Sequence, residues 1–320
     1  MLYKDENFLP EGMLENTAAN RAALATPAGI ERAMRAGTVL EAPVLLCDGQ
    51  MRLHLDLGCM RGIMEKEEVV FCRPGEAVKD IAVITRVGKA AAFKVLDIVE
   101  REGEPVALLS RRAAQSACRA LYLATLAPGD IVPARVTHLE NYGAFVDVGC
   151  GIASLLSIDC ISVSRITHPR DRLFCGMELY VAVKSIDRDT GRIYVTLKEL
   201  LGTWEENAAR FEAGQTVVGR VRSIETYGIF VELAPNLAGL AELRGSGGRP
   251  VRAAVGEAAA VYIKSILPER MKVKLAIIDA YPDERPPQSL HYFIDPAKTR
   301  HIAYWEYSPA CSTRLVETVF

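Results

Sequence analysis

Several features are missing from the sequence, and each absence narrows the class of protein. No run of apolar residues approaches the roughly 18 that a membrane-spanning helix needs. The N-terminal stretch MLYKDENFLPEG lacks the basic and apolar blocks of a signal peptide. The cysteines are scattered without a C-x-x-C pair, which is typical of small buried side chains in a reducing compartment. These absences predict a cytoplasmic protein that does not enter a membrane.

The sequence also lacks an excess of basic residues. Its 38 Lys and Arg face 40 Asp and Glu, which gives a formal net charge of −2. A protein that binds duplex DNA usually has a strongly basic face, so this charge balance argues against binding through many phosphate contacts. It leaves room for single-strand binding, in which stacking on aromatic rings carries much of the affinity.

The sequence contains an internal repeat. Residues 129–157 align with residues 214–242 without a gap, and the run Tyr-Gly-x-Phe-Val recurs at 142–146 and 227–231. Further on, VAVKSID matches VYIKSIL, and each copy closes with a short strand pattern, RIYVTLK or MKVKLAI. Two copies of one supersecondary unit are therefore predicted.

A weaker third copy precedes these two and begins at Gly37. Its DLGC at 56–59 matches DVGC at 147–150, whereas Gln50–His54 stands in place of the aromatic core. Its later strands are predicted at 78–87, 91–99 and 105–113. This copy keeps the strand pattern and loses both aromatic rings.

Short helices are predicted before and between the copies. In the first, TPAGIERAMRAG, Thr26 is the N-cap, Pro27 the first helical residue and Gly37 the residue past the end. The other two are predicted at 110–126 and 198–211, and the last has Thr203 and Glu206 as a capping box. Each copy holds about five short strands in about 75 residues, which fits a small closed barrel.

The second copy resembles a known family. GDIVPARVTHLENYGAFVDVG, the I-D-x-x-x-G-R-I turn and the closing L-K together resemble the S1 domain, the RNA-binding repeat of ribosomal protein S1. The resemblance covers 129–198 and 214–279 well and 37–113 in outline. It implies an all-β-dominated fold of three tandem five-stranded OB-fold barrels joined by short α-helices.

The predicted domains follow from the repeat and the resemblance. An N-terminal extension with a helix precedes the barrels, and a C-terminal aromatic extension follows them. The boundaries are 1–36 for the N-terminal extension, 37–113 for a degenerate repeat, 114–127 for a linker helix, 128–198 for an RNA-binding repeat, 199–212 for a second linker helix, 213–279 for a second RNA-binding repeat and 280–320 for the C-terminal extension.

The resemblance also implies a binding site on one face of each barrel. The family's aromatic residues fall on Tyr142 and Phe145 and on Tyr227 and Phe230. The position at which the family often has histidine is Ser157 in one copy and Glu242 in the next, and this carboxylate would repel a nearby phosphate. The predicted RNA-binding residues are Tyr142, Phe145, Asp147, Ser157, Arg192, Tyr227, Phe230 and Lys272.

Phe145 supports this site on physical grounds. The alternation of Ala144, Val146 and Val148 makes the inward face of a strand, so Phe145 and Asp147 are predicted to face outward. An outward ring can stack on any nucleobase, and Gly143 can take backbone angles closed to other residues. The alternative is a ring that covers a barrel edge or packs against the helix at Trp204.

Three further segments leave alternatives open. The loop THPRDR at 167–172 either contacts phosphates or is a solvated turn, and His138 is similarly ambiguous. The Gly-rich basic stretch at 244–254 is either a loop on the RNA-binding face or a plain linker. The C-terminal extension either packs back on the third barrel or forms a dimer contact.

Three functions compete. The first is a binding protein for single-stranded RNA, in particular messenger RNA, that acts in translation with its first repeat docked on the small ribosomal subunit. The second is an enzyme, which the sequence disfavours because the barrels leave only a tail without a catalytic constellation. Consequently no catalytic residue, cofactor or metal site is predicted. The third is a protein-interaction scaffold, or an RNA-guiding regulator that is not bound to ribosomes.

Overall fold

Three closed five-stranded barrels follow one another in the computed structural model, which describes residues 8–73, 75–243, 252–283 and 290–320. The strands of barrel one are β1 (Leu40–Cys47), β2 (Leu53–Asp56), β3 (Arg61–Met64), β4 (Ala90–Arg101) and β5 (Glu104–Ser110). Those of barrel two are β6 (Ile131–Glu140), β7 (Gly143–Asp147), β8 (Ala153–Ser157), β9 (Glu178–Asp187) and β10 (Arg192–Thr196). Those of barrel three are β11 (Thr216–Glu225), β12 (Gly228–Ala234), β13 (Leu237–Ala241), β14 (Ala258–Leu267) and β15 (Lys272–Tyr281).

All three barrels have the same strand connectivity. The first three strands form a meander, and the third strand then pairs in parallel with the fifth, which closes the sheet. Closure removes the exposed sheet edges and leaves each strand with one face toward the core. This arrangement confirms the predicted all-β-dominated chain of OB-fold barrels.

The helices are α1 (Ala18–Leu24), α2 (Pro27–Ala36), α3 (Asp80–Ile84), α4 (Arg111–Thr125) and α5 (Trp204–Ala208). The predicted caps are confirmed. Thr26 accepts a hydrogen bond from the Gly29 backbone, Gly37 ends α2 at a φ of 63°, and Thr203 forms a capping box with Glu206. The segment predicted as one helix from 198 to 211 is a 3-10 turn followed by α5, because Gly202 takes an extended, positive-φ conformation between them.

The strand predicted at 78–87 is wrong. This segment contains α3, which buries Val83 in the core of barrel one and leaves Ile81 and Ile84 exposed. The strands that neighbour β1 are β2 and β4, so the segment is a connection between β3 and β4. A short apolar run fits a strand or a helix equally well by periodicity, and here the tertiary pairing decided.

The N-terminal segment, residues 8–15, joins barrels one and two. Glu11 pairs at 2.5 Å with Arg111, the first residue of α4, and also contacts Arg86 of barrel one. The Leu9 carbonyl accepts from the Cys150 backbone of barrel two at 2.9 Å. Burial by itself would raise the pKa of Glu11, but the two arginines outweigh it and hold that pKa below its usual value. The N-terminal segment therefore contacts both barrels, and its Glu11 carboxylate stays charged between two arginines.

The C-terminal extension packs on barrel three, which is the first of the two alternatives that the sequence left open. Trp305 and Tyr307 belong to the core of that barrel, and the Tyr307 hydroxyl donates to the Asn236 carbonyl at 2.5 Å. The extension forms a small sheet from β16 (Tyr304–Glu306) and β17 (Glu317–Val319). It also reaches barrel two, where the Ile131 backbone donates to the Arg300 carbonyl at 2.8 Å. Within the described ranges, no helix is both long and apolar enough to cross a membrane.

Candidate nucleic-acid interface

The aromatic pair of the repeat lies on the outer face of barrels two and three. In β7, Ala144 and Val146 are buried, whereas Phe145 is half-buried and Tyr142 is 56% exposed. The two rings meet edge to face, with centroids 6.2 Å apart and planes at 90°. In barrel three Tyr227 and Phe230 repeat this geometry at 6.1 Å and 88°. The predicted outward orientation of the rings is therefore confirmed.

Gly143 has a different role from the one predicted. It lies in β7 outside the positive-φ region, so it does not use backbone angles closed to other residues. A Cβ atom at this position would come within 2.5 Å of the Leu156 carbonyl oxygen in β8. At Gly228 of barrel three it would come within 2.7 Å of the Ala241 carbonyl oxygen. Glycine beside the tyrosine is thus required by close strand packing and not by backbone angles closed to other residues.

Strand register extends the aromatic pair into a row across barrel two. Phe145 lies opposite His138 on one side and Leu155 on the other, and Leu155 pairs in parallel with Tyr194. We call the outward-facing residues His138, Phe145, Leu155 and Tyr194 the outer row of barrel two. Tyr194 was missed in the sequence, although its place between buried Ile193 and Val195 in RIYVTLK is the alternation that indicates an outward side chain.

The outer row of barrel three follows the same register with different chemistry. It comprises Ser223, Phe230, Leu240 and Lys274, so Lys274 occupies the place of Tyr194. Near the row, Glu242 is paired with Lys264 at 3.0 Å. Barrel three therefore has one stacking ring fewer than barrel two.

The remaining predicted polar residues lie at strand ends. Arg192 and Lys272 are the first residues of β10 and β15, and both are exposed. Ser157 ends β8 opposite Gly143 and is half-buried. Arg192 and Lys272 thus begin the fifth strand of their barrels and Ser157 lies beside the Tyr142–Gly143 turn, and their contact with RNA stays a prediction.

The predicted exposure of Asp147 is wrong. It lies on the outer face of β7, but the N-terminal segment covers it, and only 2% of the residue is exposed. Its carboxylate accepts from the Glu11 backbone at 2.7 Å and from Gly149 and Gly151 at 2.8 and 2.9 Å. Burial, aided by the neighbouring Glu11 carboxylate, raises the pKa of Asp147 to about 7. Asp147 therefore organises the contact with the N-terminal segment and is closed to a nucleobase.

The loop at 167–172 is only partly available to a ligand. Arg172 is buried and bonds to Glu232 of barrel three through both terminal nitrogens, at 2.6 and 2.7 Å. His168 caps a 3-10 turn by accepting from the Arg170 backbone at 3.0 Å. His138 is exposed and contacts Glu140 at 2.7 Å. Of the basic stretch at 244–254, residues 244–251 lie outside the described residues.

Barrel one replaces the ring with a histidine. His54 pairs with Leu46 across the strands, which is the register position of Phe145, and its Nε2 lies 2.9 Å from the Asp48 carboxylate. At the bulge of β4, Leu96 occupies the position of Lys184 and Lys264, and it is 50% exposed. In the described part of barrel one, the equivalent face therefore presents exposed leucines beside the His54–Asp48 contact and has no aromatic stacking pair.

Comparison with known proteins agrees with this geometry. Residues 125–198 match the family model of the S1 RNA binding domain. The chain is 34% identical over 141 residues to the small ribosomal subunit protein bS1 of Staphylococcus haemolyticus, covering 42% of this chain and 36% of that protein. It is 30% identical over 203 residues to the bS1 homolog of Bacillus cereus, covering 61% and 53%. The chain thus spans about a third to a half of these relatives.

Among solved structures, a multidomain protein with nucleic acid binding domains from Streptococcus pneumoniae matches over 75% of this chain and 73% of that chain, at 14% identity and a TM-score of 0.24. The fold and the repeated aromatic face of this chain define a protein built of tandem OB-fold barrels. More specifically, residues 125–198 belong to the S1 RNA binding domain family, and the chain is similar to bS1 proteins.

Proposed function

We propose that the chain binds single-stranded RNA, with messenger RNA as the natural ligand, through the outer row of barrel two and more weakly through that of barrel three. The observation that carries this proposal is the edge-to-face Tyr–Phe pair, which recurs with the same geometry on two barrels. A purely structural role for the phenylalanine would not explain the exposed tyrosine beside it. Two adjacent, partly exposed rings offer a stacking surface to successive bases. Barrel three binds more weakly because Lys274 replaces a ring.

The RNA contact is non-enzymatic in this proposal. His138, the imidazole that faces the aromatic pair, contacts the Glu140 carboxylate and not a hydroxyl or thiol that could serve as a nucleophile. Tyr142, Phe145 and Tyr194 supply stacking, and Ser157, Arg192, Tyr227, Phe230 and Lys272 supply the remaining contacts. We therefore expect binding to depend little on the RNA sequence, because every base presents a flat face to a ring.

A titration of the full chain with labelled single-stranded RNA tests this proposal. Three to five phosphate contacts would give a log–log dependence of affinity on salt with a slope of about −2 to −4. Duplex RNA of equal length should compete poorly because its bases are already stacked. Absence of binding, or equal affinity for the duplex, would contradict the proposal and favour the scaffold alternative.

The proposal also includes association with the small ribosomal subunit through barrel one. The curated relatives are named small ribosomal subunit proteins, and barrel one offers exposed leucines in place of a stacking surface. Leu46 and Leu96 on this face are 48% and 50% exposed. An apolar surface of this kind is typical of a macromolecular contact.

Co-sedimentation with small subunits tests the role of barrel one. Leu96→Glu should weaken co-sedimentation by roughly tenfold, because burying a leucine side chain at an interface is worth about 1.5–3 kcal/mol. Affinity for free oligonucleotides should stay unchanged. The matched control is Ile278→Glu in β15, where the isoleucine is 59% exposed. If Leu96→Glu co-sediments like the control, barrel one does not dock on the subunit and the alternative of a regulator away from ribosomes gains support.

A further inference from the structure

The turn between β9 and β10 of barrel two gathers arginines from three parts of the chain. The Thr190 carbonyl accepts from Arg119 of α4 at 2.8 Å and from Arg73 of barrel one at 3.0 Å. Two guanidinium groups on one carbonyl oxygen are neighbours of like charge. Each guanidinium carries five N–H donors, and only one donor of each is used in this contact. Arg73 is exposed and Arg119 is partly exposed, so donors that this contact leaves unused can reach an anion.

Packing fixes the position of Arg119. Its guanidinium lies over the Phe71 ring, 5.0 Å from the centroid. The opposite side of the guanidinium lies against Gly191, whose φ is 64°. Any Cβ atom at this position would collide with the guanidinium. The side chain is therefore held in place before any ligand arrives, which lowers the entropy lost on binding.

The barrel-one segment that carries Arg73 is anchored as well. The Phe71 backbone donates to the Gln115 side chain of α4 at 2.8 Å, and the Gln115 amide in turn donates to the Cys150 carbonyl of barrel two at 3.1 Å. These contacts hold the end of a barrel-one loop against barrel two. Arg73 itself remains exposed.

Two more arginines belong to the turn. Arg188 is exposed and donates to the Leu123 carbonyl near the end of α4, and Arg192 is exposed at the start of β10. We call Arg73, Arg119, Arg188 and Arg192 the arginine rim. In the part of the chain that the structure describes, none of these guanidinium groups lies within 4.0 Å of a carboxylate.

The acidic residues of the turn offset the charge of the arginine rim only in part, since Asp187 lies across the strands from Arg192. Asp187 directs its carboxylate at the Thr190 hydroxyl, 2.5 Å away, and at the Thr190 and Asp189 backbones. The hydrogen bonds from Thr190 hold the pKa of Asp187 below its usual value, so it stays charged. Asp189 is exposed in the same turn. Four arginines thus lie close to three acidic side chains, because the Glu76 carboxylate also accepts from the Arg73 backbone at 3.4 Å, on a chain whose net charge is −2.

The arginine rim continues the outer row of barrel two. Arg192 and Tyr194 are two residues apart on β10 and so share its outward face, about 7 Å apart along the strand. The parallel pairing of β10 with β8 places Tyr194 beside Leu155 and Phe145, with Tyr142 at the far end. A strand that stacks on these rings and follows β10 toward its start therefore arrives at the arginines.

We propose that the arginine rim binds the phosphates of single-stranded RNA as the strand leaves the aromatic surface of barrel two. The site is composite, because barrel one contributes Arg73 and the linker helix contributes Arg119. Guanidinium groups suit this ligand, since their fork geometry matches two oxygens of one phosphate. The inference rests on the proposed function and adds a phosphate site and a role for barrel one in RNA binding.

The test compares arginine variants of the full chain on RNA of two lengths. Arg73→Gln should weaken binding of a 12-nucleotide RNA by roughly five- to tenfold in 50 mM salt and flatten the salt slope by about 0.7. Arg73→Gln with Arg188→Gln should flatten it by about twice as much. A four-nucleotide RNA that covers only the rings should lose less than about twofold. Arg32→Gln, at an exposed arginine of α2, is the matched control.

The outcomes separate this inference from the function on which it rests. If both arginine variants bind the 12-nucleotide RNA with the affinity and salt slope of Arg32→Gln while the wild-type protein binds tightly, the arginine rim carries no phosphate. Equal losses on both RNA lengths would mean that Arg73 acts on the aromatic surface, which also overturns the inference. If the wild-type protein binds neither RNA, the proposed function itself fails. Arg73→Lys should recover part of the salt slope, since charge without the fork suffices for counterion release.

Discussion

Phe145→Ala should lower the affinity of the full chain for single-stranded RNA by about tenfold or more. Loss of a base-stacking ring costs on the order of 1–3 kcal/mol per base. Phe145 is half-buried against Tyr142 and lies in the centre of the outer row, so its removal disrupts the largest stacking surface on barrel two. A fluorescence titration measures the affinity.

The same variant should keep most of its stability. A core Phe→Ala change costs roughly 3–5 kcal/mol, and an outward, partly exposed ring should cost far less. Val146→Ala is the control, because Val146 is fully buried and faces inward, so this change should reduce stability before affinity. Phe230→Ala should show the pattern of Phe145→Ala more weakly. If thermal melts show that Phe145→Ala unfolds the chain while the folded fraction binds RNA normally, the ring is a core residue.

Glu232→Gln should destabilise the junction of barrels two and three by roughly 3–5 kcal/mol, because buried Arg172 loses the carboxylate it pairs with and Arg222 keeps only the longer contact with Asp171 at 3.4 Å. Glu232 is 8% exposed and accepts from Arg172 at 2.6 and 2.7 Å and from Arg222 at 2.7 and 3.1 Å. Denaturant unfolding measures the change in the free energy of unfolding.

An exposed ion pair supplies the control for Glu232→Gln. Arg61 and Glu104 lie 3.3 Å apart with side chains 57% and 69% exposed, so Glu104→Gln should cost at most about 1 kcal/mol. Equal effects of the two changes would show that the buried network does not hold the barrels together.

The pH dependence of stability gives a second measure of the same network. Burial alone would raise the pKa of Glu232, but Arg172 and Arg222 outweigh burial and hold it below its usual value. A carboxyl with a lowered folded-state pKa contributes its full stability above its unfolded-state pKa of about 4.3. This contribution is lost as the pH falls from there through the folded-state pKa. The wild-type chain should therefore lose more stability on acidification than Glu232→Gln does.

The buried networks have a functional consequence. The N-terminal segment holds barrel one against barrel two, and the Arg172–Glu232–Arg222 network holds barrel two against barrel three. The aromatic surfaces are thus presented by barrels that contact each other directly, rather than by domains on free linkers. A fixed arrangement reduces the entropy cost of binding one RNA strand at two barrels.

Local sequence patterns determined the barrels and the orientation of their rings. Alternation in YGAFVDV assigned Phe145 outward because side chains on a strand alternate between its two faces, and this rule needs no distant residue. The caps at Thr26 and Thr203 followed for the same reason, since a cap acts within four residues. The assignment of residues 1–36 and 280–320 to separate extensions stays a prediction.

Only the tertiary structure decided what lies over each face. Alternation placed Asp147 on the outer face of β7 correctly, yet the N-terminal segment covers that end of the strand. Tyr194 joined Phe145 through the parallel register of β8 and β10, and Arg73 reached Thr190 from another barrel. The physical reason is common to all three. Periodicity reports the direction of a side chain from its own strand, whereas burial and neighbours depend on contacts between segments far apart in the chain.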